Sequence, residues 1–276
     1  MKQGLAALND VPIDFYGRLE DQFGNPVAGA QIKGDIRIYN GVQATVQHLT
    51  TTSDDRGAFQ VHGEHGEALY VVPVKEGYAL ASTGTEFKYS AMYEQHFSPD
   101  PNNPTVVKMW KLQGAEPLVR FDKDLQFRYS GTPVRIDLLT GQLVPDGGDL
   151  KITVNRPPGI ISGRNRQDWG VQIDAVDGGL IETSMNEARV TYAASDTGYQ
   201  PSDTQMASSN GHGVELIQQM FFVKSRNGQV YSKVFLSIGI NQQPDEPMYV
   251  EFRGVANANG SRNWEGDPNT MIKAGQ

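Results

Sequence analysis

The densest set of metal-capable side chains in the sequence is His62-Gly63-Glu64-His65-Gly66-Glu67, two imidazoles and two carboxylates in six residues. Such a run could grip a divalent cation. Between Val61 and Leu69, however, it is expected to be a solvated hairpin turn, because nothing nearby orients the two rings as the hydrogen-bonded surroundings of a metal site do. A second pattern, His212-Gly213-Val214-Glu215, supplies the His-x-x-Glu spacing of a zinc peptidase. Zinc hydrolysis needs three protein ligands and an open position for water. His212 is the last of the five histidines, so no later ligand exists, and its flank Ser208-Ser209-Asn210-Gly211 reads as loop. The run Ser98-Pro99-Asp100-Pro101-Asn102-Asn103-Pro104 offers oxygens to Ca²⁺ but lacks the alternating acids and closing bidentate Glu of an EF-hand loop. No metal and no cofactor is expected.

Nucleophilic and phosphate chemistry find no motif. The chain has no Cys, no Gly-x-Ser-x-Gly elbow, no P-loop and no dinucleotide fingerprint. Paired carboxylates for glycoside hydrolysis need only meet in space, and Asp174, Asp177 and Glu182 are close in sequence. Around Asp177-Gly178-Gly179 they read instead as the ends of a hairpin. No catalytic residue is assigned. Aromatic rings are the remaining candidates, since a flat ring gives a β-sandwich contact area for sugar or peptide. One cluster is Tyr89, Met92, Tyr93, His96 and Phe97; the other is Trp169, Tyr192 and Tyr199. The expected ligand contacts are Tyr89, Tyr93, Trp169 and Tyr199, with burial in a core as the competing role of each. Arg164, Arg166 and Arg262 lie in Gly/Asn-rich stretches that read as solvated loops.

The elements that must position these residues follow from composition and pattern. A chain of 276 residues can form two domains, each burying its own core, and 30 Gly with 15 Pro suit many turns between short strands. With 24 Lys plus Arg against 32 Asp plus Glu, the net charge is −8 and the sequence shows no basic cluster. Nucleic acid and an anionic membrane surface are therefore not expected as partners. No apolar run reaches the ~18 residues of a membrane helix, and residues 1–8 lack the apolar core of a signal peptide. Any export signal is expected to lie outside this sequence.

Asp14-Phe15-Tyr16-Gly17-Arg18-Leu19 precedes a turn at Asp21 to Pro26, and Val27-Ala28-Gly29-Ala30-Gln31-Ile32 resumes as strand. The turn Ser53-Asp54-Asp55-Arg56-Gly57 is expected to close a hairpin between the Thr-rich run near Thr50 and Ala58-Phe59-Gln60-Val61. Four pieces recur in a set order: Gly17-Arg18-Leu19-Glu20-Asp21, Gly24-Asn25-Pro26-Val27-Ala28-Gly29-Ala30, Thr52-Ser53-Asp54-Asp55-Arg56-Gly57-Ala58-Phe59 and Val74-Lys75-Glu76-Gly77-Tyr78. Together they resemble the carboxypeptidase regulatory-like family, a transthyretin-like β-sandwich. The resemblance covers residues 12–112 and implies a sandwich of seven or so strands, serving as accessory, spacer or adhesion module of exported proteins. Two stretches depart from it. Residues 33–51 are longer than a tight connection needs, and residues 82–104 read as an insertion on which a function could be grafted.

After a linker at Leu112-Gln113-Gly114-Ala115-Glu116-Pro117, strands are expected at 119–129, 134–139, 150–154, 169–175, 180–183, 190–193, 213–223, 230–240 and 248–254. The run 214–220 fits helix as well as strand. The tail from Asn257 reads as loop. The fold class is all-β: two tandem β-sandwiches, residues 12–113 transthyretin-like (prealbumin-like) and residues 117–256 jelly-roll-like or related. The function expected is that of a non-catalytic binding or structural module of an exported bacterial protein, periplasmic, cell-surface or secreted. The alternatives are a carbohydrate-binding module using loop aromatics and, behind it, a glycoside-active enzyme. The expected partner is carbohydrate or another envelope protein.

Overall fold

The computed structural model describes residues 9–39, 42–82, 84–127, 132–155, 169–207, 216–239, 248–267 and 269–275. The chain divides into two compact units, Met1–Gln113 and Gly114–Gln276.

The first unit contains β1 (Val11–Glu20), β2 (Gln31–Tyr39), β3 (Ala44–Thr52), β4 (Ala58–Gly66), β5 (Ala68–Val74), β6 (Tyr78–Leu80), β7 (Thr85–Lys88) and β8 (Thr105–Lys111). They form two four-stranded sheets, ordered β4-β1-β8-β6 and β3-β2-β5-β7. All pairings are antiparallel except β1 with β8. Alternation places Ile13 and Phe15 of β1, Ile32 and Ile36 of β2 and Leu69 of β5 in one core, all without solvent exposure.

The turn at 53–57 is present but does not close a hairpin. Asp54 Oδ1 accepts from the amides of Arg56 and Ala58, yet β3 pairs with β2 while β4 pairs with β1. The segment thus carries the chain from one sheet to the other. Two contacts hold it there. Buried Ser53 Oγ donates to the Val27 carbonyl and accepts from the Ala30 amide. Gly57 sits at φ +76°, where a Cβ would lie 2.5 Å from the Leu19 carbonyl oxygen. Ser53 also explains why strand β2 begins at Gln31 rather than Val27, since the backbone of 27–30 spends its groups on the crossover. The expectation of a solvated turn at 62–67 is likewise corrected. Residues 62–66 continue β4 against β1, and β5 starts at Ala68 in the opposite sheet.

The second unit contains β9 (Val119–Phe127), β10 (Val134–Asp137), β11 (Gln142–Val144), β12 (Leu150–Asn155), β13 (Trp169–Ala175), β14 (Gly179–Thr183), β15 (Ser202–Ala207), β16 (Leu216–Ser225), β17 (Val230–Gly239), β18 (Met248–Asn257) and β19 (Ile272–Lys273). A five-stranded sheet, β11-β10-β12-β13-β15, packs on a six-stranded one, β14-β16-β17-β18-β9-β19. Strands β16, β17 and β18 lie side by side as a meander in one sheet, while in the other β10 stands between β11 and β12, with β13 next to β12. Of the helix-or-strand run 214–220, residues 216–220 belong to β16, which pairs with β17 over ten residues, and 214 and 215 lie outside the described residues. Phe221 and Val223 face the main core while Met220 and Phe222 face a second apolar cluster. A strand covered on both faces loses its alternation, which is the reason the sequence read both ways.

That second cluster exists because the outer face of the six-stranded sheet is partly covered. Of residues 190–193, expected as a strand, Val190 ends a short helix α1 (Met185–Val190) and 191–193 follow it; the helix is started by Ser184, whose side chain accepts from the Glu187 amide. The tail is not merely loop. Trp264 is buried against Phe222, and β19 adds a parallel edge to β9, so the unit extends past residue 256.

Candidate functional site

The aromatic contacts expected from sequence fare differently. Tyr89 is buried, its hydroxyl donating to the Asp14 carbonyl at 2.6 Å and its pKa pushed up by burial. Trp169 is 2% exposed in the core of the second unit. Neither ring offers a face to a ligand, because each fills volume between two sheets. Residues 82–104, read as a surplus insertion, supply β7 to one sheet and seat Phe97 against Phe15, Phe87 and Tyr89. The segment closes the core of the first unit. Tyr93 is half-buried: its hydroxyl accepts from Arg37 at 2.5 Å, and Lys88 stands over its ring. Arg37 in turn pairs with Glu67 and Glu86. Tyr199 packs in the second apolar cluster, and burial pushes its hydroxyl up to about 12.

The metal and acid candidates are also drawn apart. His62 Nδ1 lies 2.8 Å from Asp14 and its Nε2 2.7 Å from Gln60, while His65 pairs with Asp10, all on the exposed face of β4 and β1. Among the described residues no group of three metal-capable side chains converges. Asp100 spends Oδ1 on the Asn102 amide. His212, Glu215, Arg164 and Arg166 lie outside the described residues. Asp174 and Glu182 belong to different sheets, and Asp174 is paired with Lys151 at 2.7 Å. Arg262 pairs with Asp196.

The strongest carboxylate cluster was not visible in the sequence reading. From Asn257 onward every second residue turns its side chain back on the amide two residues ahead: Asn257 to Asn259, Asn259 to Ser261, Ser261 to Asn263 and Asn263 to Glu265. Glu116 occupies the concave side of this run, accepting from Asn257 Nδ2, Ser261 Oγ and Asn259 Nδ2. The alternating Asn-x-Asn-x-Ser-x-Asn pattern was the available signal. These donors, Asn257 and Ser261 foremost, hold the Glu116 carboxyl below its ordinary range. Because the folded value lies below the unfolded one, the stabilisation is complete above the unfolded pKa, about 4.3, and is lost as pH falls through the folded value. Glu116→Gln is therefore expected to cost about 1–2 kcal/mol at pH 7 and much less at pH 3. Urea midpoints at the two pH values measure this; an equal loss at both would refute the assignment.

One concavity carries an unusual charge balance. On β17 and β18, alternation sends Val234 and Phe252 to the core and Lys233, Arg253 and Val255 to the opposite face. The register lays Arg120, Val255 and Lys233 side by side across β9, β18 and β17. Helix α1 runs over the adjoining part of this face and leaves a cleft of about 280 Å³ along its flank, walled by Met185, Ala188 and Arg189 on one side. Met220 and Val255 give it an apolar floor. Lys233 Nζ donates to the carbonyls of Ala188 (2.9 Å) and Thr191 at the end of the helix, and stands 5.1 Å from the Trp264 ring. Burial pulls its pKa down to about 8. Arg253 engages Asp122 and Glu251. Arg120 and Arg189 have no ion-pair partner among the described residues. Arg120 also borders a neighbouring hollow with Lys123 and Lys273. Six of the 24 Lys and Arg side chains thus border these two hollows, with Asp122 the acidic residue common to both.

No family model matches this chain, and no curated protein matches it. Among solved structures, the shaft pilin spaA from Lactobacillus rhamnosus GG is 8% identical over 95% of this chain and 96% of that one, with a TM-score of 0.27. The Streptococcal ancillary pilin is 14% identical over 84% and 60% of the two chains, at 0.24. BcpA, the major pilin subunit of Bacillus cereus, is 11% identical over 90% and 59%, also at 0.24. The chain spans about three fifths of the latter two.

Proposed function

We propose that this chain is a non-catalytic binding and structural module of an exported bacterial protein, its first unit related to the carboxypeptidase regulatory-like sandwiches. The observation that carries the reading is where the polar chemistry goes. The most heavily hydrogen-bonded carboxylates, Glu116 and Asp149, spend their oxygens on side chains and amides that pin loops to sheets. His48, His62 and His65 are likewise each paired with an aspartate, the first on the β3-β2 sheet and the other two on the exposed side of β4 and β1. Side chains arranged in this way stiffen a scaffold, whereas a catalytic site converges them on a shared cavity. The family resemblance is supported by its turn residues. Asp21 and Asp54 cap their turns through the same pair of amides, two and four residues on. Gly57 and Gly77 occupy positive-φ positions.

The partner on this reading is another envelope protein. In the producing bacterium the native gene product should be recovered from the envelope or exterior fraction and cross-link to a second protein there. The doubly substituted His62→Ala, Glu64→Gln chain should do the same. Confinement to the cytosol, or the absence of any cross-linked protein partner in the envelope fraction, would contradict the proposal.

A further inference from the structure

We propose that the cleft beside α1 binds a small monocarboxylate with an apolar body, its carboxylate held by Arg120 and Arg189 and its hydrocarbon part seated on Met185, Met220 and Val255. Three observations converge on this. The first is shape: at about 280 Å³ the cleft stands at the small end of the roughly 300–1,000 Å³ of ligand cavities. The second is lining. Methionine side chains from the helix and from β16 line the cleft together with the valine of β18, which gives it adaptable thioether and methyl surface.

The third observation is charge. Four cationic side chains border the cleft, and Asp122 is the one acidic residue that lines it. Arg253 is already committed to Asp122 and Glu251, and Lys233 to the helix-end carbonyls. Arg120 and Arg189 remain, from strand and helix on opposite walls, both exposed and without an ionic partner among the described residues. Guanidinium groups offer carboxylate a planar, paired set of donors. A neutral apolar ligand would leave those groups unused, and a bare inorganic anion would leave the floor uncovered. An amphipathic anion satisfies both.

The test uses the full chain with methyl-labelled methionine and octanoate as probe, with 1-octanol as its neutral counterpart. The Met185 and Met220 methyl signals, assigned with Met185→Leu and Met220→Leu, should shift saturably with octanoate. Octanol should bind about tenfold more weakly, and the Arg120→Ala, Arg189→Ala pair should weaken octanoate by about tenfold or more. Both arginines are exposed, so their removal leaves the fold intact, and an unchanged melting curve verifies it. Absence of saturable shifts, equal binding of octanol, or indifference to the arginine pair would each overturn the proposal. Shifts saturating at methionines other than 185 and 220 would overturn the location.

Discussion

Arg226→Ala is expected to destabilise the second unit by about 2–4 kcal/mol, somewhat less than when one partner of a fully buried ion pair is removed, because the Arg226 side chain is itself one-third exposed. Asp149 is wholly buried, and its oxygens accept from Arg226 Nε at 2.8 Å and Nη2 at 2.9 Å, from Ser225 Oγ and from the Leu138 amide. Arg226 also reaches Asp137 at 3.0 Å. Removing the guanidinium leaves a buried carboxylate facing two neutral donors, and the desolvation it suffered on folding is no longer offset. The backbone at residue 226 has φ +49°, so Ala carries the same left-handed strain as Arg, and the substitution isolates the side chain. Arg226→Lys should recover only part of the loss, because an ammonium restores charge without the two-pronged geometry. Calorimetry of the full chain, following the transition of the second unit, should show a fall in melting temperature of roughly 10 °C for the Ala variant. A cost below about 1 kcal/mol would mean that the pair contributes no more than an exposed one.

Tyr89→Ala should cost the first unit about 3–5 kcal/mol, as large aromatic deletions in cores do. The ring is packed against Phe97, which stacks on Phe15, and its hydroxyl satisfies the Asp14 carbonyl. Deleting it opens a cavity and strands a buried acceptor. Tyr93→Ala should cost only about 1 kcal/mol, since that ring is half-exposed and contributes chiefly the hydrogen bond to Arg37. The pair of variants separates two roles for residues 82–104. If the segment closes the core, Tyr89 and Tyr93 differ sharply in stability and neither changes a glycan-array signal. If instead both variants stay fully stable and a ligand signal is lost, the segment is a recognition loop and the packing described above is wrong in its energetic weight.

How much of this was legible in the sequence depends on the range of the interactions. The all-β class, the Asp-capped turns at 21–25 and 54–58 and most strands of both units follow from rules acting within a few residues, such as alternation, turn chemistry and positive-φ glycine. Two local readings failed because a partner elsewhere in the chain outweighed local preference. The turn at 53–57 looks like a hairpin, but Ser53 is bonded to Val27 and Ala30, residues whose proximity only the crossover creates. Residues 62–66 look like a glycine-rich turn, but Gly66 is needed where a Cβ would meet Ile36 and the Arg37 carbonyl at close range, and the segment stays in strand against β1. The aromatics show the same limit. Composition marks Tyr89 and Trp169 as rings on loops or strand ends, and burial is decided by which sheet covers them.

The cleft lies furthest beyond the sequence. Its cations stand at positions 120, 189, 233 and 253, so far apart that the chain displays no basic cluster and its net charge argues against an anionic ligand. What the sequence determined was the side of each strand on which they fall, because period-two alternation with Phe121, Val234 and Phe252 in the core sends Arg120, Lys233 and Arg253 to the other face. Tertiary structure decided that those faces are neighbours. Hydrogen-bond register aligned Arg120, Val255 and Lys233 across three strands, and the Ser184 cap placed α1 where Arg189 faces them. Alternation acts over adjacent residues and can be read along the chain, whereas register joins strands more than a hundred residues apart and comes into being only when the sheet forms.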